Sequence, residues 1–170
     1  MNDVYLEEMV PRKKRASDTV INVGMILLTV IVGIFTIFTA NMILVLLFIA
    51  ACVGCYFVMP RAQVEWEYQY VNGEVDIDRI LKKSTRKRMI SFDVANVEII
   101  APLTSHRMDY YNNNSKVKIK DFTSGEEEKK KNIYAAVVTL DGVLTKILFE
   151  PSEKMVKDMR TKAPRKVFFD

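Results

Sequence analysis

The chain has 170 residues, with 25 Lys and Arg against 21 Asp and Glu and a formal net charge of +4. That balance lacks the broad basic face of a nucleic-acid-binding domain, and two cysteines without a spacing framework do not describe a disulfide-stapled secreted fold. The hydrophobic content is concentrated: residues 19–60 contain no Asp, Glu, Lys, Arg or His.

Residues 1–18 read as an N-terminal segment in which the basic run Arg12, Lys13, Lys14 and Arg15 is offset by Asp3, Glu7, Glu8 and Asp18. The uncharged stretch that follows predicts a two-helix transmembrane hairpin, with helices at about 19–38 and 42–59 and a break at Thr39-Ala40-Asn41. One continuous helix of that length would exceed the roughly 30 Å of a hydrocarbon core. It is also too long for the apolar core of a signal peptide. Basic residues flank both ends of the stretch, which predicts a multi-pass protein of the cell membrane with cytoplasmic N- and C-termini. Gly24, Gly33, Ala50, Ala51 and Gly54 offer small surfaces for close helix contact, within one hairpin or between copies.

Cys52 and Cys55 form a CxxC inside the second helix. A redox pair needs an accessible thiolate of lowered pKa, and a zinc site needs further ligands, whereas the single histidine, His106, is distant in sequence. The two thiols read as small packing residues.

Residues 60–162 read as one β-rich cytoplasmic domain, followed by a basic-aromatic tail at 163–170. Val64, Trp66, Tyr68 and Tyr70 alternate with Glu65, Glu67 and Gln69, the period of a strand with one apolar face. Asn72-Gly73 is a hairpin turn signal, and Val75 and Ile77 resume the alternation. The segment Lys82 to Arg88 reads as a basic turn before a third strand at Met89 to Phe92. Residues 93–97 suggest a short helical turn, 103–115 a loop, and 117–122 another strand. A last hairpin is expected around Asp141-Gly142. Ser152 is the predicted N-cap of a helix to about Arg160. The expected fold is thus a membrane α-helical hairpin joined to six or seven antiparallel strands and a C-terminal helix.

The run Trp66-Glu67-Tyr68-Gln69-Tyr70-Val71-Asn72-Gly73-Glu74-Val75-Asp76-Ile77-Asp78, the Arg86-Lys87-Arg88 cluster and the element order resemble two-helix bacterial membrane proteins of clostridial type and unknown function. Their soluble part is similar to a pleckstrin-homology-like (PH-like) domain. The resemblance implies a bent sheet or partly open barrel plugged by the final helix. It brings no activity, ligand or binding residues with it, and fold analogy alone says little about function.

The candidate sites are sparse. Glu74, Asp76 and Asp78 share a strand face but do not match a calcium loop. Ser105-His106 lacks an orienting third group, and no Gly-rich phosphate loop or nucleophile elbow is present. No catalytic, metal or cofactor residue is assigned. The leading expectation is a non-enzymatic integral membrane adaptor or scaffold that binds an unidentified protein or itself, and no nucleic acid. One alternative is a membrane-tethered module recognising anionic lipid headgroups of the bilayer through Arg12, Lys13, Lys14, Arg15, Lys82, Lys83, Arg86, Lys87 and Arg88; another is an enzyme with an unrecognised site, which predicts a polar pocket containing His106 or the acidic strand.

Overall fold

The computed structural model describes residues 4–13, 16–39, 41–58, 64–81, 84–126 and 132–170. The chain forms two units: one of residues 1–13 and 65–170, the other of residues 14–64 inserted between them.

The larger unit contains two four-stranded sheets. Sheet one has the order β1-β2-β3-β4, formed by Tyr5–Pro11, Val64–Val71, Glu74–Leu81 and Thr85–Asp93. Sheet two has the order β5-β7-β8-β6, formed by Ile99–Pro102 (β5), Lys118–Asp121 (β6), Tyr134–Leu140 (β7) and Val143–Phe149 (β8). Two tight hairpins set the registers. Asn72 and Gly73 have φ of 52° and 110°, and Asp141 and Gly142 have 50° and 76°. Two consecutive positive φ values are the backbone of the turn whose twist matches its strands, and Asn, Asp and Gly reach it at least cost.

The alternation in β2 buries Trp66, Tyr68 and Tyr70. Tyr68 and Phe92 from sheet one meet the Phe149 ring of β8 edge-on, at centroid distances of 6.0 and 6.2 Å. Each buried polar tip on this face finds a partner, as an apolar interior requires. Tyr68 Oη donates to Phe122 O at 2.6 Å and Trp66 Nε1 to Thr123 O at 3.1 Å. Helix α4, Glu153–Lys162, is capped by Ser152, whose hydroxyl accepts from Met155 N, and buries Met155, Val156 and Met159. Tyr70 Oη donates to Asp158 of α4 at 2.5 Å.

Several elements differ from the sequence expectation. Tyr5–Pro11, inside the supposed N-terminal segment, is an edge strand antiparallel to β2; Pro11 is tolerated because an edge position leaves the missing donor harmless. Strand β4 begins at Thr85, so Arg86, Lys87 and Arg88 lie on a strand and not in a turn. Residues 99–102 are a strand, and 103–115 contain a 3-10 turn at His106–Met108 and helix α3 at Asp109–Asn112. The domain is not wholly antiparallel, since β6 pairs with β8 in parallel.

Sheet two is covered on its second face as well: Ala101, Ala135 and Val137 pack there with Met108, Leu103, Tyr111 and Phe168. The tail joins this layer. Ile100 N donates to Lys166 O and Phe168 N to Ile100 O, at 2.7 and 2.8 Å, so residues 166–168 cover the free edge of β5.

The inserted unit consists of α1, Ala16–Thr39, and α2, Met42–Val58. The helices pack against each other through small residues: a Cβ at Gly33 would lie 2.9 Å from the Phe48 ring, and one at Gly54 3.2 Å from Met25. Gly24 faces open space. Large apolar side chains are exposed along both helices, Phe38 and Met42 among them. The expected pair of spanning helices needs correction. Among the described residues only α1 is long and apolar enough to cross a membrane. The 17 residues of α2 reach about 26 Å at the helical rise, short of a hydrocarbon core of about 30 Å.

Tyr68→Phe removes a buried hydroxyl that joins β2 to the segment leaving β6. It is expected to lower unfolding free energy by about 1–2 kcal/mol, read as a reduced urea midpoint at unchanged slope. An unaltered midpoint would show that the hydroxyl adds nothing.

Candidate basic interface

The basic residues singled out in the sequence fall into two runs about 70 positions apart, and the topology brings both to one end of sheet one. Pro11, the last residue of β1, pairs with Glu65 at the start of β2. Leu81, the last residue of β3, pairs with Thr85 at the start of β4. Arg12 and Lys13 therefore leave the sheet at the end where the β3–β4 hairpin turns. Lys13 N donates to Ser124 O at 2.7 Å, which ties this exit to the segment after β6. Lys14, Arg15, Lys82 and Lys83 lie outside the described residues.

The described basic residues are not equivalent. Arg86 and Arg88 face the outer side of the sheet and are engaged there. Arg86 Nη2 pairs with Glu67 Oε1, and Arg86 Nε lies 3.7 Å from Asp78. Arg88 Nη2 lies 2.6 Å from Asp76 Oδ2, and its Nε 3.7 Å from Asp78 Oδ1. Their side chains nonetheless stay 50% and 60% exposed. Lys13 and Lys87 are exposed.

The reason for this engagement is Glu67, which has no accessible surface. A carboxylate withdrawn from water needs a paired charge. Arg86 supplies one on Oε1, while Oε2 has no partner among the described residues. Burial pushes the Glu67 carboxyl up, and the adjacent Glu7 adds to the rise against the opposing pull of Arg86. The hydrogen bond from the Tyr5 hydroxyl holds the Glu7 carboxyl down. The acidic residues of β3 are partly buried: Asp78 is inaccessible and is neutralised by the strand beside it.

The other sequence candidates lie apart from this end. His106 is fully exposed, with Nδ1 3.4 Å from Asp109 Oδ2. Cys52 is exposed on α2, whereas Cys55 turns toward α1, with Sγ 3.2 Å from Thr29 Oγ1. No set of three His, Cys, Asp or Glu side chains among the described residues is arranged to hold a metal ion. Two surface hollows of about 510 and 420 Å³ are lined by Asp109, Tyr110 and Asn113–Ser115, and by Asn132, Tyr134 and Pro151–Glu153 with Val156. Neither contains His106 or the acidic strand. Sequence reasoning missed Lys146, a buried lysine on β8 whose Nζ donates to Asn112 Oδ1 at 2.8 Å. Burial holds its pKa down.

A family model described as bacterial PH-like domain (DUF6106) matches residues 2–169. Neither a curated protein nor a solved structure matches the chain. The family match corrects the reading of a two-helix integral membrane protein carrying a separate cytoplasmic PH-like domain. The family unit takes in β1, both helices and the tail together, as one PH-like domain. The integral adaptor or scaffold and the multi-pass placement with two cytoplasmic termini are withdrawn with it; only one described helix has spanning length and composition.

Two stability measurements test the buried carboxylate. Arg86→Ala is expected to cost about 2 kcal/mol, less than the roughly 3–5 of a wholly buried pair because the Arg86 side chain is half exposed. Adding Glu67→Gln should recover most of that loss, and failure to recover it would place the cost elsewhere. The second concerns pH. A carboxyl whose folded pKa is raised favours folding when protonated, so its contribution is complete below the unfolded value near 4.5 and is lost as pH rises through the folded value. Relative to Glu67→Gln, the natural protein should therefore lose stability across that interval. Parallel urea midpoints from pH 4 to 7 would refute it.

Proposed function

Because the chain belongs to the bacterial PH-like domain family, a fold able to engage lipid headgroups or partner proteins peripherally, we propose that it recognises anionic lipid headgroups. The surface used is the end of sheet one that carries Arg12, Lys13 and the β3–β4 hairpin. One observation carries the reading: two basic runs distant in sequence leave the same end of the same sheet. Basic residues near an anionic leaflet contribute about 1 kcal/mol each, so a cluster at one end is worth far more than the same charges dispersed.

The ion pairs divide the work. Arg86 and Arg88 serve first as counter-ions to Glu67, Asp76 and Asp78. Lys87 and Lys13, with Lys82, Lys83, Lys14 and Arg15 of the flanking runs, are the residues assigned to the lipid. Glu65 and Glu126 are acidic neighbours at this end, and they moderate the attraction without cancelling it.

The test is flotation of the full chain with phosphatidylcholine vesicles, with and without phosphatidylglycerol. Lys83→Glu/Lys87→Glu should lose roughly thirtyfold of the anion-dependent binding, the equivalent of about 2 kcal/mol. The control is Lys154→Glu/Lys162→Glu on α4; Lys162 lies beside the Gly73 turn, at the opposite end of sheet one. Equal losses in both variants, or none in either, would overturn the reading.

A further inference from the structure

Strand β4 carries one residue more than β3 can pair. Ile77 pairs with Ile90 and Asp78 with Arg88, so Met89 is bulged out of the ladder. Side chains alternate along a strand, and one extra residue reverses the alternation beyond it. Ile77 and Ile90 are buried in the interior, whereas past the bulge Arg86 and Arg88 meet Glu67, Asp76 and Asp78 on the outer face. Lys87 is thereby turned to the inner face, directly opposite Arg79 of β3.

These two cations differ from their neighbours. Arg86 and Arg88 each have carboxylates within ion-pair distance, but neither Arg79 nor Lys87 makes an ion pair or a side-chain hydrogen bond among the described residues. Arg79 is half-buried and its Nε is withdrawn from water, while Lys87 is exposed. Like charges directly opposite on one sheet face repel, with Cβ atoms about 5 Å apart, and partial burial strengthens the repulsion. An anion shared between them removes it. At that spacing the planar fork of Arg79 and the point charge of Lys87 both reach a single phosphate.

Resting on the headgroup reading above, we propose that Arg79 and Lys87 together hold the phosphate of one monoester headgroup, the kind that phosphatidic acid exposes. A phosphate monoester brings about two negative charges near neutral pH and three terminal acceptor oxygens, which match two cations and a fork. A diester such as phosphatidylglycerol brings a single charge and an ester arm on either side of the phosphorus. The pair faces inward at the end of the sheet, so a phosphate that projects freely reaches it and one flanked by two arms does not. Arg86 and Arg88 take no part in the grip; they neutralise the carboxylates that would otherwise repel the anion.

The test is flotation of the full chain with phosphatidylcholine vesicles containing either phosphatidic acid or phosphatidylglycerol, matched in surface charge by electrophoretic mobility. Phosphatidic acid should bind about tenfold more tightly, and Arg79→Gln and Lys87→Gln should each abolish that preference. Arg79→Lys keeps the charge and loses the fork, so it should hold phosphatidylglycerol binding within about twofold and still lose most of the preference. In phosphate-free buffer Lys87→Gln, at an exposed position, should raise the urea midpoint by relieving the repulsion, and glycerol phosphate should raise the midpoint of the natural chain but not of this variant. Equal binding to the two vesicles, or a preference that survives both glutamine variants, would overturn the phosphate pair and leave headgroup recognition standing. A midpoint shift by glycerol phosphate without binding to either vesicle would overturn the headgroup reading and assign the pair to a soluble phosphate monoester. Neither vesicle binding nor a midpoint shift would overturn both.

Discussion

The carboxylate of Glu67 sets the terms for the rest of sheet one. It sits in the second of four strands without access to water, where an uncompensated charge would cost several kcal/mol. Compensation comes from Arg86 on β4, across the sheet, which ties an edge strand to β2. The same network engages Arg86 and Arg88 as counter-ions, half exposed though their side chains remain, whereas no ion pair is described for the exposed Lys13 and Lys87. The chemistry available at the interface is therefore decided by what the interior of the sheet consumes first.

How much of this was legible in the sequence follows from the range of each signal. The period-two alternation of β2 and the Asn72-Gly73 and Asp141-Gly142 turns are local, and the strands they bound lie where those residues indicate. Ser152 likewise announces α4 through one side chain and one amide. Strand β1 carries no comparable mark: Leu6-Glu7-Glu8-Met9-Val10 does not alternate, and the strand is made by its partner. The four-residue strands β5 and β6 are also made by their neighbours, and a parallel pairing such as β6 with β8 leaves no trace in turn chemistry.

At the interface, residue types were legible and their commitments were not. Five positive charges between Lys82 and Arg88 look alike in a sequence, and only the strand register separates Arg86 and Arg88 from Lys87. The apolar stretch at 19–60 announced helices, but length decided between them, with α2 ending well short of α1. The small residues there proved unequal: Gly33 and Gly54 receive side chains from the facing helix, while Gly24 receives none.

The pairing of β1 with β2 has a consequence for the order of assembly. Tyr5 must find Val71, and the whole helical segment is made between them. During synthesis the first strand is therefore finished long before its partner exists, and it waits, unpaired, through the production of both apolar helices. The meander of β2, β3 and β4 closes through short local turns and gains its contacts early, whereas β1 adds the costly long-range closure last. A nascent chain thus holds the β2 edge exposed until its own beginning returns to it, which makes the N-terminus the final piece of the sheet and not its foundation.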